Sequence, residues 1–162
     1  MMSHSTITIG LDPGFDRLGY GVISGVHAAP RHIAHGCLTA PKTLPFDERL
    51  LQLANDLEAL LKEHRPAIVG IEKLFFANNA KTVMAVAEVR GVIILLARRF
   101  GARIHELTPL QVKQGVTGYG GADKKQVQLM VKTLLKLPER PRPDDAADAL
   151  AIALCSHAVA FQ

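Results

Sequence analysis

An acid-rich segment at the start of the last predicted helix places the strongest constraint on the fold of this chain. Asp144, Asp145 and Asp148 lead an alanine-rich run that favours helix, and Pro141 and Pro143 end any helix before it. Asp145 and Asp148 are three residues apart, so they share one helix face. One Asp serves as an ordinary cap, whereas three in five residues on a chain of net charge +4 indicate a further use. Two such carboxylates hold a divalent cation if other acids converge on them.

Length and composition predict one domain covering residues 1–162. The chain is 48% hydrophobic, which excludes a disordered protein and is enough for a substantial core. The net charge of +4 favours anionic partners. Cys37 and Cys155 lack metal-ligand spacing, the N-terminus does not resemble a signal peptide, and no apolar run is long enough to span a bilayer. These features predict a cytoplasmic protein with no membrane partner.

The hydrophobic pattern predicts three strands followed by alternating helices and strands. Period-two alternation marks the first strand, a short continuous apolar run marks 67–72, and apolar residues at three- and four-residue intervals mark the first long helix. This order favours an α/β fold with a mixed sheet and helices on its faces. The predicted strands are 7–11, 18–24, 32–39, 67–72 and 103–107, and the predicted helices are 45–63, 81–100, 108–113, 123–135 and the Asp-led final helix, with a flexible glycine-rich loop at 115–121.

Two further acids stand at the ends of predicted strands. Asp12 follows the first strand in an Asp-Pro-Gly turn, and Glu72 ends the fourth. If these strands are neighbours, their acids meet the acids of the last helix at one sheet edge. Clustered carboxylates repel unless a cation neutralises them, and Mg²⁺ prefers carboxylate and water oxygens. Spacing alone leaves a second interpretation open, in which Asp12 is a turn residue and one of the paired Asp residues is a cap.

Candidate contacts to a phosphate backbone or an unpaired base lie between Glu72 and Asp144 in the chain. Lys113 and Lys124 flank the glycine-rich loop, an arrangement that suits a phosphate backbone, although a solvated basic face explains an unselected basic run. Phe75 and Phe76 directly follow Glu72, and one of them is expected in the core while the other is free to stack on an unpaired base. Tyr119 in the loop is a weaker stacking candidate.

Taken together, these segments resemble the RuvC family of Holliday-junction resolvases, the crossover junction endodeoxyribonucleases. The likeness runs from about residue 6 to residue 157, and it is the order and spacing of the fragments that make it specific. The chain departs from the usual family pattern at 84–89, in a long helix that contributes to the family's dimer. The matching fragments are 9–14 with 19–23, 71–79, 90–91, 108–113, 116–120, 122–127, and 145–153 with His157.

The resemblance implies a ribonuclease H-like fold with a five-stranded mixed sheet and helices on both faces. It implies a magnesium-dependent endonuclease that resolves four-way DNA junctions by paired symmetric nicks in strands of like polarity, during recombination and repair. It also implies a homodimer, two Mg²⁺ ions per site that Mn²⁺ can replace, and a branch-migration helicase complex as a partner. The residues that it assigns are Asp12, Glu72, Asp145 and Asp148 as catalytic metal ligands, and Phe75, Lys113 and Lys124 as DNA contacts.

Three other functions remain open on the residues alone. One is another ribonuclease H-like nuclease, acting on RNA–DNA hybrids. A second is a non-catalytic nucleic-acid-binding module whose acids are caps and turn residues. The third is an actin-like ATPase fold, which also uses a strand ending in Asp-x-Gly before a hairpin, although 162 residues are too few for the second lobe that closes over ATP.

Overall fold

The computed structural model describes residues 5–14, 16–26, 28–74 and 80–159, and its strands form one five-stranded mixed sheet flanked by helices. The predicted fold class is confirmed. The strands are β1 (Thr6–Pro13), β2 (Arg17–Val26), β3 (Ala29–Thr39), β4 (Ile68–Glu72) and β5 (Arg103–Leu107), and the helices are α1 (Phe46–His64), α2 (Ala80–Arg99), α3 (Pro109–Thr117), α4 (Lys124–Leu134) and α5 (Asp144–Val159).

The sheet combines an antiparallel meander with two parallel additions, in the order β3-β2-β1-β4-β5. Short connections join β1 to β2 and β2 to β3, so these strands pair antiparallel. Helices α1 and α2 provide the long crossovers that parallel neighbours need, and β1–β4 and β4–β5 pair parallel. Leu11 pairs with Ile71, so the next residues, Asp12 and Glu72, leave the same sheet edge on adjacent strands.

Alternation along the strands sends large and small residues to opposite faces of the sheet. Ile9 and Leu11 of β1 join the buried cluster that α1 and α2 cover. Between them, Gly10 points at the other face, where α5 lies so close that a Cβ would overlap Ala149 and Ala153 backbone atoms. Gly19 and Gly21 also meet backbone atoms of α5, and Gly70 meets the side chains of Ser156 and Ile152. Helices therefore cover both faces, and α5 is seated on a floor of glycines.

Helix α5 is buried along nearly its whole length, as its alanine-rich sequence allows. Every residue from Ala149 to His157 is buried. The ring of His157 lies in the core, with Nδ1 2.8 Å from the Thr8 hydroxyl oxygen, in agreement with a core role rather than a metal-binding one. No helix in the described part of the chain has the length and apolar character needed to cross a membrane.

The prediction of a flexible loop at 115–121 is wrong for its first three residues, because α3 continues through Thr117. Gly115 lies inside this helix, where a Cβ would stand 2.5 Å from Sγ of Cys155. The glycine thus permits close packing of α3 on α5. Gly118 then ends the helix in the left-handed conformation, with φ of 75°. The predicted capping box at Asp123 and Gln126 is confirmed.

Candidate active site

Two of the four predicted carboxylates meet at the carboxyl ends of β1 and β4. Asp12 lies on the face of β1 that Gly10 presents to α5, two residues earlier, and Glu72 follows Gly70 in the same way. Both residues line one cavity of about 230 Å³. The sheet therefore places these side chains together beneath α5, since parallel neighbours end at a common edge.

Helix α5 adds Asp148 to the same cavity but directs Asp145 elsewhere. Asp148 lines the cavity together with Asp12 and Glu72. Asp145, one turn earlier, is not among the lining residues; its Oδ2 lies 2.6 Å from Nε of Arg17 on β2. Asp145 nevertheless acts on Asp12 electrostatically, so all four acids share one region of charge.

The two predicted lysines lie at this cavity, one on each of the helices α3 and α4. Nζ of Lys124 is 3.3 Å from Oδ2 of Asp148 and 3.3 Å from Oδ2 of Asp144. Lys113 lowers the pKa of Glu72 by its charge, against the larger effect of burial. The exposed carboxylate of Asp144 also accepts a hydrogen bond from Gln128. These contacts place the lysines among the acids, and their binding of DNA stays a prediction.

Burial and mutual repulsion make the carboxylates of the cavity reluctant to ionise. The pKa of Asp12 rises from 3.8 to about 7, first through desolvation and then through the charges of Asp148, Glu72 and Asp145. Desolvation is also the main reason that the pKa values of Glu72 and Asp148 are raised. A cation bound among these groups would favour their charged forms, because it offsets both the repulsion and the lost hydration.

The donor chemistry of the site fits a hard divalent cation. The side chains that converge offer carboxylate oxygens, which suit Mg²⁺ better than zinc. Buried Oδ2 of Asp145 accepts no well-aligned hydrogen bond from the described residues, despite the nearby guanidinium of Arg17. Across those residues, no group of three or more His, Cys, Asp or Glu side chains is already arranged around one metal position. The resident cations of Arg17 and Lys124 hold Asp145 and Asp148 instead.

The sequence analysis did not single out Arg17, and it noted Arg90 only as part of a matching fragment, without a role. The predicted Phe75 lies outside the described residues. Arg17 holds Asp145, as described above. Arg90 of α2 is buried and donates through Nε to the backbone oxygen of Glu72 at 3.3 Å, while its Nη2 lies 2.9 Å from Oε2 of Glu106. An arginine within the apolar stretch of α2 was the available signal for a buried anchor.

Comparisons with known proteins decide the family. The model described as "Crossover junction endodeoxyribonuclease RuvC" matches residues 8–157. The chain belongs to the RuvC family. The RuvC of Roseiflexus is 48% identical over 93% of this chain and 90% of its own length, and that of Thermosipho melanesiensis is 50% identical over 91% and 94%. The predicted resemblance is thus confirmed, and the chain is an endodeoxyribonuclease of a metal-dependent family.

Solved structures agree with this assignment. Thermus thermophilus RuvC in complex with a Holliday junction substrate has a TM-score of 0.90 and 33% identity, covering 96% of this chain and 94% of the Thermus chain. The yeast mitochondrial Holliday junction resolvase Ydc2 has a TM-score of 0.63 at 12% identity, a likeness of fold alone. The RuvC match extends over the sheet and all five helices, so it includes every element that carries a predicted acid.

Proposed function

We propose that this RuvC family member binds four-way DNA junctions and resolves them by paired, symmetric nicks in strands of like polarity, during recombination and repair. The observation that carries the proposal is the single cavity where Asp12, Glu72 and Asp148 meet two lysines. A binding module would not need three half-buried, mutually repelling carboxylates at one place. The Thermus relative, whose structure contains a Holliday junction, supports the choice of substrate.

We propose Asp12, Glu72, Asp145 and Asp148 as the ligands of Mg²⁺, with two ions per site and Mn²⁺ as a possible replacement. Two such ions would supply an activated water and would stabilise the leaving oxygen of a phosphodiester. The fold of the chain positions these four acids. The strand ends hold Asp12 and Glu72 in place, and α5 carries the other two acids. The expected products are a 5′-phosphate and a 3′-hydroxyl that a ligase can rejoin.

We propose that Lys113 and Lys124 bind the phosphates that flank the cleaved bond. Both line the cavity, and Lys124 is half-exposed, so its ammonium is accessible to a strand entering from solvent. Phe75 is proposed to stack on a base at the junction centre. Replacing Phe75 by Ala should weaken cleavage and leave metal affinity unchanged, and lower metal affinity would contradict the stacking role.

A homodimer accounts for the pairing of the nicks, because a two-fold axis presents two sites to two strands of like polarity. Helix α2 offers a surface for it. Met84, Gly91 and Leu95 lie on one exposed face of that helix, with Met84 64% and Leu95 59% exposed. Leu95→Glu should shift the mass measured by light scattering from dimer to monomer. Leu51→Glu, an equally exposed leucine on α1, is the matched control.

Two further parts of the proposal concern the protein's surroundings. The DNA substrate and the free thiols of Cys37 and Cys155 favour a cytoplasmic location. A branch-migration helicase complex is proposed as the partner that delivers junctions. Co-purification of this chain with such a complex on junction DNA is the test of that partnership.

The deciding experiment compares a four-way junction, a linear duplex and an RNA–DNA hybrid, each with Mg²⁺. We expect paired nicks in the junction and little cleavage of the other two. Asp148→Asn should retain junction binding and lose cleavage. Preferred cleavage of the hybrid would favour a different ribonuclease H-like activity, and junction binding without cleavage by the wild-type chain would favour a binding module.

A further inference from the structure

Arg17 holds one of the four carboxylates away from the other three. Its Nε lies 2.6 Å from Oδ2 of Asp145, and Asp145 does not line the cavity that Asp12, Glu72 and Asp148 share. Arg17 is the first residue of β2, and its guanidinium pairs with Asp145 in the first turn of α5. The ligand set proposed above is therefore incomplete as long as this ion pair persists.

The geometry makes the missing step a short one. Asp145 sits directly over Gly19, where a Cβ would be 2.9 Å from the Asp145 Cβ. Gly19 is paired with Asp12 across the β1–β2 ladder, so Asp145 stands one strand away from Asp12. Neighbouring strands are about 4.8 Å apart, a distance that a carboxylate covers by changing its side-chain rotamer. The backbone of α5, tightly seated on the glycines, does not need to move.

The guanidinium of the ion pair is also accessible to a competing anion, although the paired oxygen of Asp145 is buried. The side chain of Arg17 is 54% exposed and that of Asp145 is 27% exposed. Arginine binds phosphate through the same planar fork that it offers to carboxylates. A phosphate of DNA arriving beside the cavity can therefore replace Asp145 as the partner of Arg17. Lys124, which pairs with Asp148 on the other side of the cavity, offers a second exchange of this kind.

We propose that Arg17 is a positioning residue that withholds Asp145 from the metal site until a DNA phosphate takes its place, so that junction binding and metal binding strengthen each other. This inference rests on the proposed metal-dependent cleavage. As a consequence, the DNA-free protein binds metal weakly, and the full set of four metal ligands forms only when junction DNA is bound. Linkage requires the effect to be reciprocal, so the metal must also tighten junction binding.

The first test measures Mn²⁺ binding to the DNA-free protein, by the electron paramagnetic resonance signal of free Mn²⁺. Arg17→Gln should tighten binding about twofold to fivefold, the range expected for release of a partly exposed ion pair. In an Asp145→Asn background the same change should have no effect, because nothing is left to release. Lys62→Gln removes an equal charge from a remote pair with Glu58 and serves as the control. Thermal melts confirm that each variant is folded.

The second test measures the reciprocal effect with the four-way junction, by fluorescence anisotropy with and without Ca²⁺, with junction integrity checked on a denaturing gel. Ca²⁺ should increase junction affinity more for the wild type than for Arg17→Gln. If Arg17→Gln leaves Mn²⁺ affinity unchanged, or tightens it equally in the Asp145→Asn background, the inference is overturned. If the wild-type protein binds no Mn²⁺ even with junction DNA present, the proposed metal-dependent function itself fails.

Discussion

The two faces of the sheet are built in opposite ways. On the face covered by α1 and α2, bulky aliphatic side chains such as Ile9, Leu57 and Ile93 interlock in a buried cluster. On the other face, Gly10 and Gly21 bring the backbone of α5 almost into contact with the strands. Both faces bury apolar side chains, since Leu150 and Ile152 of α5 are also buried, but only on the second face do glycines set how closely a helix approaches the strands.

The difference shows which face fixes the positions of the catalytic candidates. Aliphatic side chains can repack around a change that conserves volume, whereas a helix backbone lying directly on glycines has no side chain between it and the strand that can repack. Asp145 and Asp148 are carried by the rigidly seated helix, and Asp12 and Glu72 leave the strands beneath it. Substitutions among the aliphatic residues should therefore lower mainly the folding stability, whereas substitutions on the α5 face should lower cleavage.

The largest expected effect tests whether the carboxylates on the α5 face serve chemistry alone. Asp12→Asn should lower junction cleavage by about 10³-fold, about 4 kcal/mol of barrier, while the melting temperature stays equal or rises, because the folded site already favours the neutral acid. Cleavage rate and thermal melts are the measurements. Leu57→Ala on the other face is the counterpart: it should cost about 2–5 kcal/mol of folding free energy and leave the cleavage rate of folded protein unchanged. Retained cleavage by Asp12→Asn would show that Asp12 is not needed for the reaction, and would contradict the contrast between the two faces.

The next effect tests the glycine floor. Gly10→Ala places a Cβ against backbone atoms of Ala149 and Ala153, and we expect a loss of about 3 kcal/mol in the free energy of unfolding together with reduced cleavage, since α5 must shift. Urea denaturation and cleavage assays measure both. Gly91→Ala in α2, where no atom lies within 4 Å of the added Cβ, should leave stability equal or slightly higher. Equal behaviour of the two variants would show that the close seating of α5 is unimportant.

A substitution of Arg90 tests whether α2, on one face of the sheet, affects the candidate site on the other face. It comes from α2, yet it donates to the backbone oxygen of Glu72 and pairs with Glu106. Arg90→Met should cost about 2 kcal/mol of stability, through the lost charged hydrogen bonds, and should also reduce cleavage by loosening the end of β4. Glu106→Gln keeps the Glu72 contact and should affect cleavage less. Equal cleavage by Arg90→Met and the wild type would mean that the faces are independent.

The last prediction concerns pH. Because the pKa of Asp12 is about 7 in the folded protein and 3.8 when it is unperturbed, the folded state keeps a proton that the unfolded chain loses between these values. The stability of the metal-free protein should therefore fall as pH rises from about 4 to 7. Melting temperatures in a chelator at pH 5 and pH 8 measure this, and Asp12→Asn should flatten the change. An unchanged slope in that variant would assign the effect to other groups.

Much of the site was accessible from local patterns. Period-two alternation placed Asp12 at a strand end, and a short apolar run after Pro66 did the same for Glu72. The proline-to-alanine transition placed Asp145 and Asp148 one turn apart on a helix. The glycines were read less well. Gly115 was assigned to a loop, but it lies in α3 and packs against Cys155. The assignment failed because a glycine in a sequence is equally consistent with a flexible loop and with close packing of two elements. The single-domain division and the roles of the individual site residues remain predictions.

The sequence by itself determined the order of strands and helices, the family, and the positions of the acids along the chain, since these depend on local periodicity and on the spacing of motifs. Only the tertiary structure decided which cations the acids face. Arg17 and Asp145 are far apart in the chain and meet because glycines in β2 let α5 descend onto that strand. Contacts of this kind depend on how closely two backbones approach, which no local pattern encodes.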